Sequence, residues 1–174
     1  MVFFDMETSG LDPEKHEVLS VSWSIDGGVI ETRYYFPQLA TTLKAIEING
    51  LTNIEIRRRR TEQNRYYKHR HFVQDEDVQS IFKRSNDRGE LFVAHNVKFD
   101  SSFLPFEIQN QFCTMFGTQD ELNLPPAKGR TTPKYPKLSE ACEFYKIEWD
   151  EDRGHNSNYD VDRLIELFWK IRDE

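Results

Sequence analysis

The chain opens with the ten residues Met1-Val2-Phe3-Phe4-Asp5-Met6-Glu7-Thr8-Ser9-Gly10. The apolar run at residues 2–4 predicts a buried strand. Alternate strand residues share a face, so Asp5 and Glu7 point the same way if the strand continues through both. Two buried carboxylates on one face are unfavourable unless a cation lies between them, which indicates a divalent metal. A plainer interpretation ends the strand at Asp5 and leaves Glu7 in a solvated turn before Gly10.

The composition predicts one soluble globular domain over all 174 residues. Aromatic residues make up 13% of the chain, more than a disordered protein carries. We find no apolar run long enough for a membrane span and no signal-peptide pattern before the first strand. Cys113 and Cys142 form neither a metal-ligand spacing nor a disulfide framework. We therefore expect an intracellular protein, cytoplasmic by default, with no membrane partner.

The charge is distributed unevenly along the chain. The net charge is -7, yet residues 57–71 hold seven Lys or Arg against the single acid Glu62. In this stretch Tyr66 and Tyr67 alternate with cations, a composition that suits single-stranded nucleic acid. A solvated loop is the alternative interpretation. We treat the stretch as a basic insertion in the domain and expect it to guide substrate toward the site.

Hydrophobic periodicity and turn signals predict an α/β fold. Alternation over residues 18–26 predicts a strand with one buried face, and a hairpin at residues 26–28 returns it through residues 29–36. A helix at residues 74–85 before a strand at residues 91–95 indicates a parallel crossover. The other predicted elements are helices at residues 40–46, 101–108, 138–145 and 158–172, a strand at 112–116 and a basic loop at 125–136.

Three more candidate residues lie at the ends of predicted elements. Asp100 follows the strand at residues 91–95, and open α/β sheets place their sites beyond the carboxyl ends of strands. Capping a helix is the plainer interpretation of Asp100 alone. Asp160 lies in the first turn of the last helix, with His155 on the loop before it. Such a helix fixes a ligand while the loop brings a base over it, although His155 alone has the character of a surface histidine.

Together these residues resemble the DEDDh 3′-5′ exonucleases, the family of bacterial polymerase proofreading subunits, ribonuclease T and oligoribonuclease-like enzymes. Residues 3–11 are similar to the motif D-x-E-T-x-G, residues 94–100 to H-N-x-x-F-D, and residues 155–160 to H-x4-D. Residues 48–52 are similar to the I-H-G-I-T loop, with Asn49 where histidine is common. The resemblance covers nearly the whole chain. It implies a ribonuclease H-like α/β domain with a mixed five-stranded sheet flanked by helices.

The resemblance also implies a chemistry. A metal-dependent exonuclease would release nucleoside 5′-monophosphates from single-stranded nucleic acid with a free 3′ end. Asp5 would bridge two divalent ions, Mg²⁺ or Mn²⁺, while Glu7 and Asp160 complete the ion that holds the attacking water. Asp100 would serve the second ion. His155 would be the general base, because an imidazole titrates near neutral pH.

The substrate-binding residues that the resemblance implies are Met6, Thr8, Leu11, Asn49, Leu51, Asn96 and Phe99. Thr8 and the backbone of Met6 would meet the terminal sugar, and Asn96 would position a phosphate. Leu11 and Leu51 would press on the last bases, although packing alone also accounts for both leucines.

Two other functions stay open at this point. One is a binding module of the same fold that holds nucleic acid or a partner without turnover. The other is an endonuclease that uses the same metal site. The choice between DNA and RNA depends on contacts to the 2′ position, which one sequence does not reveal. Neither a polymerase partner nor a homodimer follows from the sequence.

Overall fold

The computed structural model describes residues 1–63 and 68–173, and its strands form one mixed sheet. The strands are β1 (Val2–Thr8), β2 (Val18–Ile25), β3 (Ile30–Tyr34), β4 (Phe92–Ala94) and β5 (Gln111–Cys113). Their order across the sheet is β3-β2-β1-β4-β5. Strand β2 pairs antiparallel with both β1 and β3, β4 runs parallel to β1, and β5 runs parallel to β4. The predicted meander followed by a parallel crossover is confirmed.

Helices flank both faces of this sheet. They are α1 (Leu43–Asn49), α2 (Asn53–Glu62), α3 (Glu76–Asp87), α4 (Val97–Ser101), α5 (Thr114–Leu122), α6 (Leu138–Phe144) and α7 (Ser157–Asp173), with a 3₁₀ turn at Phe72–Gln74. The final amphipathic helix was predicted within two residues of its observed bounds. Over the described ranges, none of these helices combines the length and the apolar character that crossing a membrane requires.

The alternation of side chains along β1 divides the core into two layers. Phe4 packs edge-to-face on Phe82 of α3, with ring centroids 5.6 Å apart. Phe3 points to the other side and packs on Phe168 of α7 at 5.3 Å. Because successive strand residues alternate faces, the next residues on the α7 side are Asp5 and Glu7.

The prediction that β2 buries only one face is wrong, because α7 covers the other. Ser20, Ser22 and Ser24 are all buried. The Oγ atom of Ser157, at the start of α7, lies 3.0 Å from Ser20 Oγ and 2.8 Å from Ser22 Oγ. The small hydroxyl side chains let the helix approach closely and satisfy one another's hydrogen bonds. The polar half of the alternation therefore marks a helix contact and not a solvent face.

Two short elements lie elsewhere than predicted. The helix expected at residues 101–108 is wrong, since α4 ends at Ser101 and is formed earlier in the chain. The strand expected at residues 112–116 ends at Cys113, after which α5 begins. A Cβ atom at Gly117 in α5 would lie 3.0 Å from the Phe112 ring. Close packing on that ring therefore explains why Gly117, a residue that disfavours helix, occupies this position.

The segment between β3 and the 3₁₀ turn contains two capped helices. The Thr42 hydroxyl accepts a hydrogen bond from a first-turn amide of α1, and Thr52 does the same for α2, both at 3.2 Å. Gly50, at φ 67°, ends α1 in the left-handed conformation that favours glycine. Residues 57–60 lie within α2, so the interpretation of the basic stretch as a loop is wrong for that part.

Candidate active site

Two of the predicted carboxylates lie on the face of β1 that α7 covers. Asp5 is paired across the sheet with Ser22, and Glu7 with Ser20. Strand β1 continues past Glu7, whose surface is only 9% exposed. The interpretation of Glu7 as a solvated turn residue is therefore wrong. Asp160, buried in the first turn of α7, approaches the same face.

Asp100 joins this group from helix α4. It is buried inside α4, so the interpretation as a helix cap is wrong, since the cap position belongs to Asn96. The backbone N–H of Met6 donates a hydrogen bond to Asp100 Oδ1 at 3.0 Å. This bond ties the fourth carboxylate to β1 between Asp5 and Glu7. It also occupies the Met6 amide that was predicted to meet a sugar.

Burial and mutual proximity raise the pKa values of these four carboxyl groups. Burial raises the pKa of Asp5 to about 7. Burial, together with the charge of Asp5, raises the pKa of Asp160 to about 9. Burial and the neighbouring carboxylates also hold the pKa values of Glu7 and Asp100 well above their usual range. Four negative charges at this density are therefore unfavourable without a compensating cation.

Asp160 supplies a second sign that a cation belongs here. Within the part of the chain that the structure describes, its Oδ1 atom is buried and has no hydrogen-bond partner. Buried carboxylate oxygens are normally paired, so this atom is available as a metal ligand. Carboxylate oxygens are the ligands that Mg²⁺ and similar hard ions prefer. The donor set therefore fits a divalent metal.

His155 lies over the edge of this group. One ligand atom each from His155, Glu7 and Asp160 lie within 4.8 Å of one another. Neither Asp5 nor Asp100 shares such a close group over residues 1–63 and 68–173. His155 is exposed and has a positive φ of 59°, so the chain turns sharply just before α7.

Two cations near the site had no distinguishing signal in the sequence. The charge of Lys137, at the start of α6, adds to partial desolvation in lowering the pKa of His155. Arg59 of α2 lines a narrow crevice together with Glu7 and His155. Lys137 follows the basic loop predicted at residues 125–136, and Arg59 was predicted only as part of the basic stretch. Their approach depends on the tertiary fold, which no local pattern encodes.

Thr8, Leu11 and Leu51 differ in their availability to a ligand. Leu11, just beyond β1, is 81% exposed, as a residue that presses on a base should be. Leu51 is buried in a small core cluster with Ile56, so packing accounts for it. The Thr8 hydroxyl donates a hydrogen bond to the carbonyl of Gly10 at 2.7 Å, which closes the turn after β1. The sugar contact predicted for Thr8 would have to replace or share this bond.

Asn49, at the end of α1, forms hydrogen bonds with the end of β1. Its Nδ2 group donates to the Thr8 carbonyl at 3.2 Å, and its Oδ1 atom accepts from the Leu51 amide at 3.0 Å. A hydrogen bond from Asn49 also lowers the pKa of Glu7, against the larger effect of burial. The residue that departs from the family motif therefore links the end of α1 to β1.

Asn96 and Phe99 border the site on the α4 side. Asn96 is exposed, and its carbonyl accepts a 2.7 Å hydrogen bond from the Phe99 amide. The half-buried Phe99 ring packs edge-to-face on Phe103 at 5.3 Å. Asn96 is thus accessible for the predicted phosphate contact, which stays a prediction.

The described arginines of the basic stretch are largely engaged in structural contacts. Arg58 forms salt bridges with Glu55 and Glu62, both in its own helix α2. Arg60 donates to two backbone carbonyls, one of them that of Tyr34 at 2.5 Å. Tyr66 and Tyr67, predicted to contact nucleic acid, lie outside the described residues. The predicted role in guiding substrate stays a prediction.

The sequence is similar to known nucleases. The RNase_T family model, described as an exonuclease, matches residues 2–168. DNA polymerase III PolC-type of Mycoplasmopsis pulmonis (strain UAB CTIP) is 28% identical over 174 residues, which cover 96% of this chain and 11% of the polymerase. Ribonuclease T of Buchnera aphidicola subsp. Baizongia pistaciae (strain Bp) is 26% identical over 194 residues, which cover 98% of this chain and 82% of the relative. The chain therefore spans a small part of one relative and most of the other.

Solved structures share the architecture. Exonuclease X in complex with 5′ overhanging duplex DNA has a TM-score of 0.64 at 21% identity, over 99% of this chain and 90% of that one. E. coli exonuclease I in complex with a dT13 oligonucleotide has a TM-score of 0.63 at 17% identity, over 98% of this chain and 40% of that one. The predicted ribonuclease H-like fold and the resemblance to DEDD-type exonucleases are confirmed.

Proposed function

We propose an activity for this chain on the premise that it belongs to the RNase_T exonuclease family, whose model matches residues 2–168. The activity is divalent-metal-dependent 3′-5′ exonucleolytic hydrolysis of nucleic acid, with release of nucleoside 5′-monophosphates. One observation carries the proposal: four carboxylates converge on one buried edge with raised pKa values. They are Asp5, Glu7, Asp100 and Asp160.

The four carboxylates, Asp5 among them, would hold two ions, Mg²⁺ or Mn²⁺. Such ions, when bound, offset the charge on the scissile phosphate and lower the pKa of a bound water. Asp160 offers its unpartnered, buried Oδ1 atom. Asp100 is held in one orientation by the amide of Met6. A ligand fixed in this way keeps its geometry through the reaction.

His155 would accept the proton of the attacking water. Its ring reaches within 4.8 Å of Glu7 and Asp160 from the solvent side, where an incoming phosphate would lie. Partial desolvation and the nearby charge of Lys137 lower the pKa of His155, which keeps the imidazole neutral at neutral pH. A neutral imidazole is the form that accepts a proton.

We propose single-stranded nucleic acid as the substrate. The exonuclease X structure holds 5′ overhanging duplex DNA and the exonuclease I structure holds dT13, whereas the Buchnera relative is named ribonuclease T. Both sugars are therefore represented among similar proteins. The exposed Leu11 at the end of β1 provides an apolar contact for a terminal base of either kind.

A degradation panel tests the activity. Single- and double-stranded DNA and RNA, with free or blocked 3′ ends, are incubated with Mg²⁺ or Mn²⁺. We expect mononucleotides from single strands with a free 3′ end. Asp5→Asn should lose this release while keeping its circular dichroism spectrum, because it removes one ligand charge. Cleavage of strands with blocked ends would instead indicate an endonuclease, and binding without turnover in either metal would indicate a binding module.

A further inference from the structure

The loop between α5 and α6, residues 123–137, concentrates positive charge that the site described above uses only at Lys137. The loop holds four Lys or Arg and no acidic residue, in a chain whose net charge is -7. Lys134 pairs with Glu140 of α6 at 2.5 Å. Lys128 and Arg130 are exposed, and neither forms a salt bridge with any residue that the structure describes. These two cations are therefore available to an anion that approaches from solvent.

The loop is fixed at the edge of the candidate active site. The Nε2 atom of His95 donates to the Pro136 carbonyl at 3.0 Å, and the other ring nitrogen lies 3.0 Å from Thr114 Oγ1. His95 follows β4 and directly precedes Asn96. At the end of the loop, the charge of Lys137 acts on His155. The loop therefore borders the site at Asn96 and at His155.

The loop also lies on the same side of the sheet as the carboxylates. The helices that it joins, α5 and α6, both pack on α7, which carries Asp160. The Gln119 side chain of α5 donates to the Pro133 carbonyl at 2.9 Å, which holds the loop on that helix. A strand that leaves the carboxylates past Asn96 thus meets this loop without crossing the sheet.

Two exposed aromatic rings accompany the cations. Tyr135 in the loop is 47% exposed, and Phe116 of α5 is 50% exposed. The two rings pack edge-to-face with centroids 5.2 Å apart, so each supports the other in a position open to solvent. Exposed rings beside unpaired cations suit single-stranded nucleic acid, because the bases stack on the rings and the cations attract the phosphates.

We propose that the α5–α6 loop, together with Phe116, binds the substrate strand upstream of the nucleotide that is removed. The inference rests on the proposed exonuclease function. Lys128 and Arg130 attract the phosphates, and Tyr135 stacks on a base of any kind. This surface is separate from residues 57–71, where the described arginines Arg58 and Arg60 bond within the protein.

Binding of labelled single strands tests the surface apart from turnover. Fluorescence anisotropy is measured in Mg²⁺ over a range of salt concentrations, with strands of increasing length from the dinucleotide upward. Asp5→Asn is the parent protein, so that the strands stay intact. The test variant adds Lys128→Gln and Arg130→Gln. The matched control adds Lys83→Gln and Arg84→Gln, the same change of charge on α3, which packs on the other face of the sheet.

We expect the test variant to bind longer strands more weakly, with a salt dependence of log Kd that is shallower by about 0.7 for each cation removed. Tyr135→Ala should weaken binding of longer strands about tenfold and leave the salt dependence unchanged, because stacking is not ionic. The dinucleotide, which reaches only the carboxylates, should bind all variants alike. The control should match the parent at every length.

Equal salt dependence in the test variant and the control would overturn the inference, as would an equal loss on the dinucleotide. Tighter binding of a glutamate-rich peptide than of the longer strands, lost in the test variant, would assign the loop to an acidic protein partner instead. The degradation panel decides the proposed function separately. Strand binding that depends on this loop, without release of mononucleotides by the wild type, would refute the exonuclease function and support the surface.

Discussion

His155 differs from the four carboxylates around it in exposure and in backbone position. The carboxylates lie on strands and helices, whereas His155 lies on a loop after Gly154. A Cβ atom at Gly154 would lie 2.9 Å from the Trp149 ring, so the loop is packed at that point. A base on such a loop can meet a water at the edge of the site without giving up its solvent contact.

Replacing His155 by alanine should separate proton transfer from metal binding. We expect His155→Ala to lower kcat by about 10²–10⁴-fold, the usual contribution of a general base. The affinity for Mn²⁺, measured by calorimetry, should change little, because the carboxylates remain. Asp5→Asn serves as the comparison, because removing a ligand charge should lower kcat and Mn²⁺ affinity together. Parallel losses in kcat and in Mn²⁺ affinity would make His155 a metal ligand instead of a base.

Single residues of the site were predictable where strand or helix geometry fixes them. Asp5 and Glu7 share a face because side chains alternate along β1, and Asp160 follows from the start of an amphipathic helix. Asn49 was predicted at the site only through the family resemblance, and Lys137 was not predicted there, because each reaches the site from a helix end placed by tertiary packing. A hydrogen bond or a charge at such a position produces no periodic pattern in the sequence.

At the scale of elements, length determined what could be predicted. Strands β1 and β2 and helix α7 repeat their patterns over seven or more residues, and the sequence placed them well. Strand β5 has three residues and α4 has five, too few for a period to appear. Tertiary contacts define these short elements, such as the bond from the Met6 amide to Asp100 in α4.

Helix α2 should be held to the sheet by one of its arginines. Arg60 is partly buried and donates to the backbone carbonyls of Tyr34 and His69. Arg60→Gln should lower the free energy of unfolding by about 1.5–3 kcal/mol, the contribution of hydrogen bonds from a charged group. Arg57→Gln, on the exposed side of the same helix, should stay within about 0.5 kcal/mol of the wild type. Urea denaturation measures both, and equal stability of the two variants would refute the structural role of Arg60.

At the scale of the whole molecule, the site exists only when distant segments close on one another. Asp5 and Glu7 come from β1, Asp100 from α4 and Asp160 from α7. Folding therefore forces together charges that the unfolded chain keeps apart. The stability of the metal-free protein should report this repulsion directly.

The metal-free protein should lose stability as the pH rises. The pKa values of Asp5 and Asp160 are raised in the folded state to about 7 and about 9, from about 4 in an unfolded chain. Folding therefore favours their protonated forms, and this contribution is complete below about pH 4 and disappears as the pH passes through the folded values. In EDTA we expect Tm to fall between pH 5 and pH 9, by about 2–4 °C for each kcal/mol lost.

Divalent metal should reverse this trend, because bound ions stabilise the ionised carboxylates. The gain in Tm on adding Mg²⁺ should be larger at pH 8 than at pH 5. Asp160→Asn, which removes one raised carboxyl, should show a shallower fall of Tm with pH in EDTA, and this difference isolates the site from other titrating groups. Differential scanning calorimetry measures Tm for the wild type and for Asp160→Asn, in EDTA and in Mg²⁺, across this pH range. A Tm in EDTA that is constant or rises from pH 5 to pH 9, in the wild type as in Asp160→Asn, would contradict the repulsion on which the metal site is argued.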